Sequence, residues 1–396
     1  MATIHTLFVL GFFGGALLLN SPESYTGDAV RIVVTWVLSF SGSALLSLSA
    51  IRYFNLARGP VVAPRMTNAH VLVAFVLVAV QIALGVTGQL GYEAQVETGL
   101  STPLGLLGTI ASLAQPWVLL CLAIAVRTGQ SVFLASLAAV GQVIALSLQG
   151  FRGSSVHYMV WLLVVLWILA SNRKLIASVG GRVLSVSVGV IVAISGFWFA
   201  TIARSDAADR LGVASSGTQL LKGGWLETIL SRIDMMSYLE VGVRAEESSL
   251  AQQAVSWSNY AFVLIPRAIF PEKPIVNYGQ DVTTLIYGED YQSSSTISWL
   301  GDAYLNVGEL GILLLAIIFG GVLVFSEKML PRRSLIFGWT ALVAIVIAST
   351  NLESSLLLMA FQVVRTVMAV SFLWWLITWL SKFAVVNTVP NHAYGV

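Results

Sequence analysis

Long apolar runs separated by short polar segments make up most of the chain. A helix needs roughly 17–25 apolar residues to cross a bilayer, and ten runs meet or approach that length: 4–20, 30–51, 69–90, 104–126, 131–149, 155–171, 183–202, 306–325, 335–350 and 354–380. One stretch departs from the rhythm. Residues 203–305 are polar and long, carrying seven Lys/Arg and twelve Asp/Glu, and remain rich in Trp, Leu, Ile and Tyr. After Gly223 and Gly224, Trp225, Ile229, Ile233, Met236 and Leu239 recur at helical spacing, with Glu227, Arg232, Asp234 and Glu240 mostly elsewhere around the helix. This predicts an amphipathic helix on a membrane surface or in a small subdomain. A second helix is predicted over 250–264, stopped by Pro266. The expected organisation is therefore an N-terminal membrane part (1–202, seven helices), a large outer loop (203–305) and a C-terminal membrane part (306–396, three helices).

Composition agrees with that pattern. The 396 residues are 57% hydrophobic and 10% charged, with mean hydropathy +0.85, against about 25% charged in soluble domains. The fold class is an all-α polytopic membrane protein of about ten spans with one large extracytoplasmic loop. Charge then orients it. Arg52, Arg58, Arg65, Arg127, Arg173, Lys174, Arg182, Lys328, Arg332, Arg333 and Lys382 fall on one side, opposed there only by Glu327. The positive-inside rule makes this side, and both termini, cytoplasmic. The first apolar run has no Lys or Arg before it and no small-residue cleavage site, which predicts an uncleaved span. The single cysteine, Cys121, excludes an intrachain disulfide, and the four His are scattered without metal-ligand spacing. No cofactor and no metal are expected.

No phosphate-binding glycine motif occurs. Chemistry on the outer side would need a substrate already energised and delivered by the membrane, as a lipid-linked diphosphate is. Such a site needs cations for the diphosphate, a carboxylate near an acceptor hydroxyl and an apolar groove. Arg152, in FRGSS, reads either as a diphosphate or sugar contact or as an interfacial anchor. Arg365 lies about three turns into the last span, too deep to snorkel, and is expected to face the bundle interior or a cavity. Glu353, Glu309 or a bound anion could pair with it. Asp302 stands at the mouth of the eighth span, as a general base or as an acid stabilised by the helix dipole. In IPRAIFPEKPIVNYGQD, residues 265–281, three prolines stiffen a loop that carries Arg267 and Lys273. These two cations read as diphosphate ligands or as contacts to lipid headgroups.

That stretch, followed by ISWLGDAYLNVGELGILLL, resembles the O-antigen polymerase (Wzy-type) family of oligosaccharide repeat-unit polymerases. The resemblance rests on Pro266, Arg267, Phe270, Pro271, Lys273, Pro274, Gly279, Ser298, Gly301, Asp302, Tyr304, Asn306 and Gly308, and on Arg152 and Gly153 entering a span. Phe151 stands where the family usually has Ser, and Asp302 where Glu is commoner. The resemblance implies a metal-independent integral-membrane glycosyltransferase of the bacterial cytoplasmic membrane. It would transfer a glycan from an undecaprenyl diphosphate carrier to the acceptor sugar of another lipid-linked repeat unit. Asp302 would be catalytic, and Arg152, Arg267, Lys273, Arg365 and Tyr304 would bind diphosphate or sugar. Membrane lipid and a chain-length regulator protein would be partners, and nucleic acid would not. An O-antigen ligase shares the architecture but commonly uses a His in the large outer loop, which has none here. A flippase for the same lipid-linked units is the alternative of another class.

Overall fold

The computed structural model describes residues 2–10, 13, 26–54, 56, 62–94, 106–150, 157–164, 195–196, 198–207, 209–211, 235–245, 270, 298–329, 336–350 and 356–386. Among them there is no strand. The principal helices are α1 (Ala2–Val9), α2 (Gly27–Tyr53), α3 (Asn68–Val86), α4 (Leu106–Ser112), α5 (Ala114–Thr128), α6 (Val132–Leu148), α7 (Met235–Ala245), α8 (Ser298–Met329), α9 (Ile336–Thr350) and α10 (Leu356–Val386). Five helical stretches are long and apolar enough to cross a membrane, in α2, α3, α4–α5, α8 and α10, and α6 and α9 are shorter and apolar. The chain is thus an all-α membrane protein. The remaining expected spans, 4–20, 155–171 and 183–202, fall in large part outside the described residues, as do the predicted helix over 250–264 and the loop 271–297.

Helix α5 is the axis of the bundle. Pro116 through Ala125 are all buried, as expected of a helix that is apolar on every side. The run expected to be one span over 104–126 is divided at Leu113, and Pro116 sits in the first turn of α5, where its missing N–H has no intrahelical partner to lose. At the other end Gly129 takes φ 79° and closes the helix with an N–H bond to the Ala125 carbonyl, 2.7 Å. Polar side chains tie the helices around this axis to one another. Gln142 of α6 donates to Gln81 of α3 at 2.6 Å, and Gln81 donates to the Ala111 carbonyl at 2.6 Å.

Helices α2 and α8 pack closely along a stripe of small residues. Ser43 donates to the Ile317 carbonyl at 2.6 Å. A Cβ added at Gly320 would lie 2.6 Å from the Phe40 carbonyl oxygen, and one at Gly321 would meet Ser47 at 3.4 Å. Between membrane helices, where burial from water offers no gain, such close backbone approach is a main source of association.

Helix α8 is not straight. Gly308 has φ 64° and ψ −171°, a conformation essentially restricted to glycine. The rings of Trp299 and Phe319 nevertheless touch, with centroids 5.7 Å apart. In a continuous helix, twenty residues would separate them by about 30 Å. The chain therefore turns back at Gly308. Residues 298–307 form an inner arm, and residues 309–329 form a limb running the other way. Arg31, in the first turns of α2, pairs with Glu309 just beyond the turn, which sets the hairpin tip level with the start of α2. That is the end assigned to the outside by the charge pattern. The eighth span, expected over 306–325 with Asp302 at its mouth, is corrected accordingly: the helix begins at Ser298, and Asp302 lies within the arm.

Helix α7 is the described part of the predicted amphipathic helix, whose stretch 225–234 lies outside the described residues. Met236 and Leu239 are fully buried. Glu240, expected on the polar side, is buried too. Its carboxylate accepts from the Thr26 N–H at 3.0 Å and the Thr26 hydroxyl at 2.8 Å, placing a negative charge at the N-terminus of α2, where the helix dipole favours it.

Candidate active site

The arm of α8 starts deep in the protein. Ser298 adopts φ 59° and its hydroxyl accepts the Gly301 N–H at 3.3 Å, capping the arm's N-terminus as a short polar side chain can. Every residue from Ser298 through Ala303 is buried. Trp299 is held in a nest of rings. Its centroid lies 4.3 Å from Trp36, nearly perpendicular, and 5.5 Å from His5. Phe40 and Phe319 complete the nest at 4.6 and 5.1 Å from His5. Trp36 donates its indole N–H to His5 Nε2 at 3.4 Å, so His5 carries its proton on Nδ1 and donates to the Ser349 carbonyl at 2.7 Å. Among the described residues the indole N–H of Trp299 itself has no hydrogen-bond acceptor.

Asp302 is one helical turn beyond Trp299, so the two share a face of the arm. Its residue exposure is 0%. Asn306 donates to it twice, to Oδ1 at 3.2 Å and to its backbone carbonyl at 2.9 Å. With about 1.5 Å of rise per residue, Asp302 sits roughly 9 Å inward of the Gly308 turn. A carboxylate held at that depth by a side-chain amide is a pre-oriented acceptor, suited to receiving a hydroxyl proton. Tyr304, also on the arm, is half-buried and packs against the main core.

The other expected site residues divide. Arg152, Arg267 and Lys273 lie outside the described residues. Arg365 is described and does not face the bundle interior. It is exposed on α10 beside Val364 and Met368, which are 46% and 66% exposed. Nor does Glu309 pair with it, because that carboxylate is taken by Arg31, while Glu353 lies outside the described residues.

One cation was hidden in the sequence among the charges of the long outer segment. Arg204 belongs to the helix covering 198–207, which runs through the expected boundary at 203. It is 8% exposed, and its guanidinium stacks on the Tyr92 ring, 4.2 Å from the centroid, a cation–π contact. Gly150 fits beneath it, since a Cβ there would lie 3.3 Å from the Tyr92 side chain and 3.4 Å from the Arg204 Cα. The structure thus brings Arg204 against the end of the segment that leads into Arg152. A Tyr–Glu pair just past an apolar run, Tyr92 and Glu93, was the available signal; Glu93 in turn accepts from Arg210 at 3.1 Å.

Comparison with known proteins gives no further identification: no family model, no curated protein and no solved structure matches the chain.

Proposed function

We propose that this protein polymerises lipid-linked oligosaccharide repeat units at the outer face of a bacterial cytoplasmic membrane. The observation that carries the reading is Asp302: a fully buried carboxylate on a re-entrant arm, oriented by Asn306, inside an apolar helical bundle. The motif resemblance around the same residues supplies the chemistry.

In this reading Asp302 accepts the proton of the acceptor sugar hydroxyl. The hydroxyl oxygen then attacks the anomeric carbon of the donor glycan. The bond from that carbon to the diphosphate oxygen breaks, and the undecaprenyl diphosphate departs with the bonding electrons. Arginines and a lysine stabilise the charge that develops there, as divalent metals do in other transferases. Arg152, Arg267 and Lys273 are the proposed ligands, and Arg204 joins them through its position beside Gly150. Asp302→Asn keeps the shape and the Asn306 contact but removes the base. Its expected outcome is normal protein level with glycan shortened to one or a few repeats. Long glycan at the normal rate would remove Asp302 from the mechanism.

A second reading has an observation in its favour. Helical segments that enter the membrane without crossing it occur in transporters, and the arm of α8 that ends at Gly308 is such a segment. A flippase for the same lipid-linked units would use the arm as a moving gate. Deletion of the gene separates the two: single-repeat surface glycan follows loss of a polymerase, and absence of surface glycan follows loss of a flippase.

A further inference from the structure

We propose that the exposed face of α10 at Arg365 docks a membrane-spanning helix of another protein, one that carries a carboxylate at mid-depth. The depth follows from contacts. The Trp374 ring of α10 packs tilted against His70, centroids 4.0 Å apart, and Thr378 bonds the same ring at 3.1 Å. His70 is in the first turn of α3, so this level is one end of the bundle. Nine residues separate Trp374 from Arg365, about 14 Å of helix. The nineteen residues of α3 rise about 28 Å. Arg365 therefore sits halfway across.

An arginine at that depth normally faces the bundle interior or a partner. Among the described residues Arg365 does neither: it is exposed, and no hydrogen bond or ion pair engages it. An exposed apolar face continues from it along α10. Arg365, Met368, Phe372, Trp375 and Trp379 follow intervals of three and four, the seam spacing of paired helices, and the last four are 66%, 62%, 57% and 45% exposed. Phe372, Trp375 and Trp379 are already in ring contact with one another, at 6.1 and 6.4 Å, so little side-chain freedom is left to lose on docking.

Charge complementarity selects the occupant. A lipid phosphate lies at the headgroup level, about 15 Å from the bilayer centre. A second copy of this chain would set Arg365 near itself. Its described acids are elsewhere, with Asp28 and Glu309 at Arg31 near the α2 start, Glu93 at Arg210 with Asp206 and Asp209 on the same segment as that arginine, Glu327 at Lys328, and Asp302 and Glu240 buried. A foreign helix with a central Asp or Glu satisfies both the charge and the apolar seam.

The test uses the full chain in phosphatidylcholine vesicles at pH 8, with a fluorescent donor on a C-terminal tag. The probe is an acceptor-labelled polyleucine transmembrane peptide with one central Glu, compared with the same peptide carrying Gln. Energy transfer should show at least tenfold tighter association of the Glu peptide. Arg365→Met, which keeps the seam apolar, should abolish that preference, and Arg365→Lys should retain most of it, which guards against a folding defect. Equal association of the two peptides with the wild type, or an undiminished Glu preference in Arg365→Met, would overturn the proposal. So would efficient oxidative cross-linking between two copies carrying Met368→Cys in a Cys121→Ser background, since the face would then belong to a homodimer.

Discussion

The two halves of α8 differ in composition and in environment: the limb is almost wholly apolar, and the arm mixes apolar residues with Ser298, Asp302 and Asn306. In the limb, Leu310, Leu314, Ile318, Val322 and Phe325 form a stripe 43–70% exposed, while Ile312, Ala316 and Leu323 on the other side are buried. In the arm, Ser298 through Ala303 are buried without a break. An apolar side chain facing lipid gives up little, because lipid tails are as apolar as the core. The arm has no such outlet, and yet it is the arm that contains a serine, an indole N–H and a carboxylate. Buried polar groups in an apolar bundle are costly unless satisfied. Their concentration in ten residues, beside a turn essentially restricted to glycine, sets the arm apart from the limb.

The largest test of that contrast is Trp299→Ala. Trp299 is fully buried among Trp36, His5 and Phe319, and truncation leaves a cavity that rings on three helices cannot all collapse into. The expected loss is about 3–5 kcal/mol, read as a fall in the unfolding temperature in detergent. A variant that melts like the wild type would mean that the arm does not pack against α2 as described.

Gly308 comes next. At φ 64° and ψ −171° any side chain strains the backbone even though a Cβ there would meet nothing within 4 Å. Gly308→Val should therefore cost about 1–3 kcal/mol through the backbone alone. Gly42→Val in α2 is the control, because its Cβ would also meet nothing and its backbone is helical. It should be close to neutral by the same unfolding measurement. If the two variants melt together, the turn at Gly308 is not the point of reversal.

Much of the scaffold is legible in the sequence, because bilayer thickness dictates run length. α2, α3, α6, α9 and α10 fall within a few residues of the apolar runs that predict them. The hairpin is not legible in the same way. Hydropathy averages over Gly308, and the motif glycines before Ile312 read equally well as the entrance to a span. What reveals the reversal is a contact between residues 299 and 319, which no local pattern contains. Asp302 was visible as a candidate, but its burial was not, since a carboxylate at a helix start is usually solvated. Arg204 and Glu240 were lost among the charges of the long outer segment for a related reason: composition says how many charges a segment has and not which of them fold inward. Arg365 was expected at mid-depth facing inward, and its exposure on α10 was not legible, because counting turns gives a depth along a helix and not a face of it.

The smallest expected effect falls on the limb, and it is as informative as the largest. Leu314 is 53% exposed and belongs to the stripe that runs from Leu310 to Phe325. In water its truncation would alter burial only slightly, and in lipid the lost contacts are with acyl chains that refill the space. Leu314→Ala should thus change stability by less than about 0.5 kcal/mol, the range of surface substitutions remote from special features. Glycan length in cells should also match the wild type at equal protein level. Ile312 lies two residues away and is fully buried. Ile312→Ala in parallel should cost about 2–5 kcal/mol, as core truncations do. A Leu314 variant as damaged as the Ile312 variant would show that the stripe meets protein and not lipid, and the distinction between arm and limb would then have to be drawn from Asp302 alone.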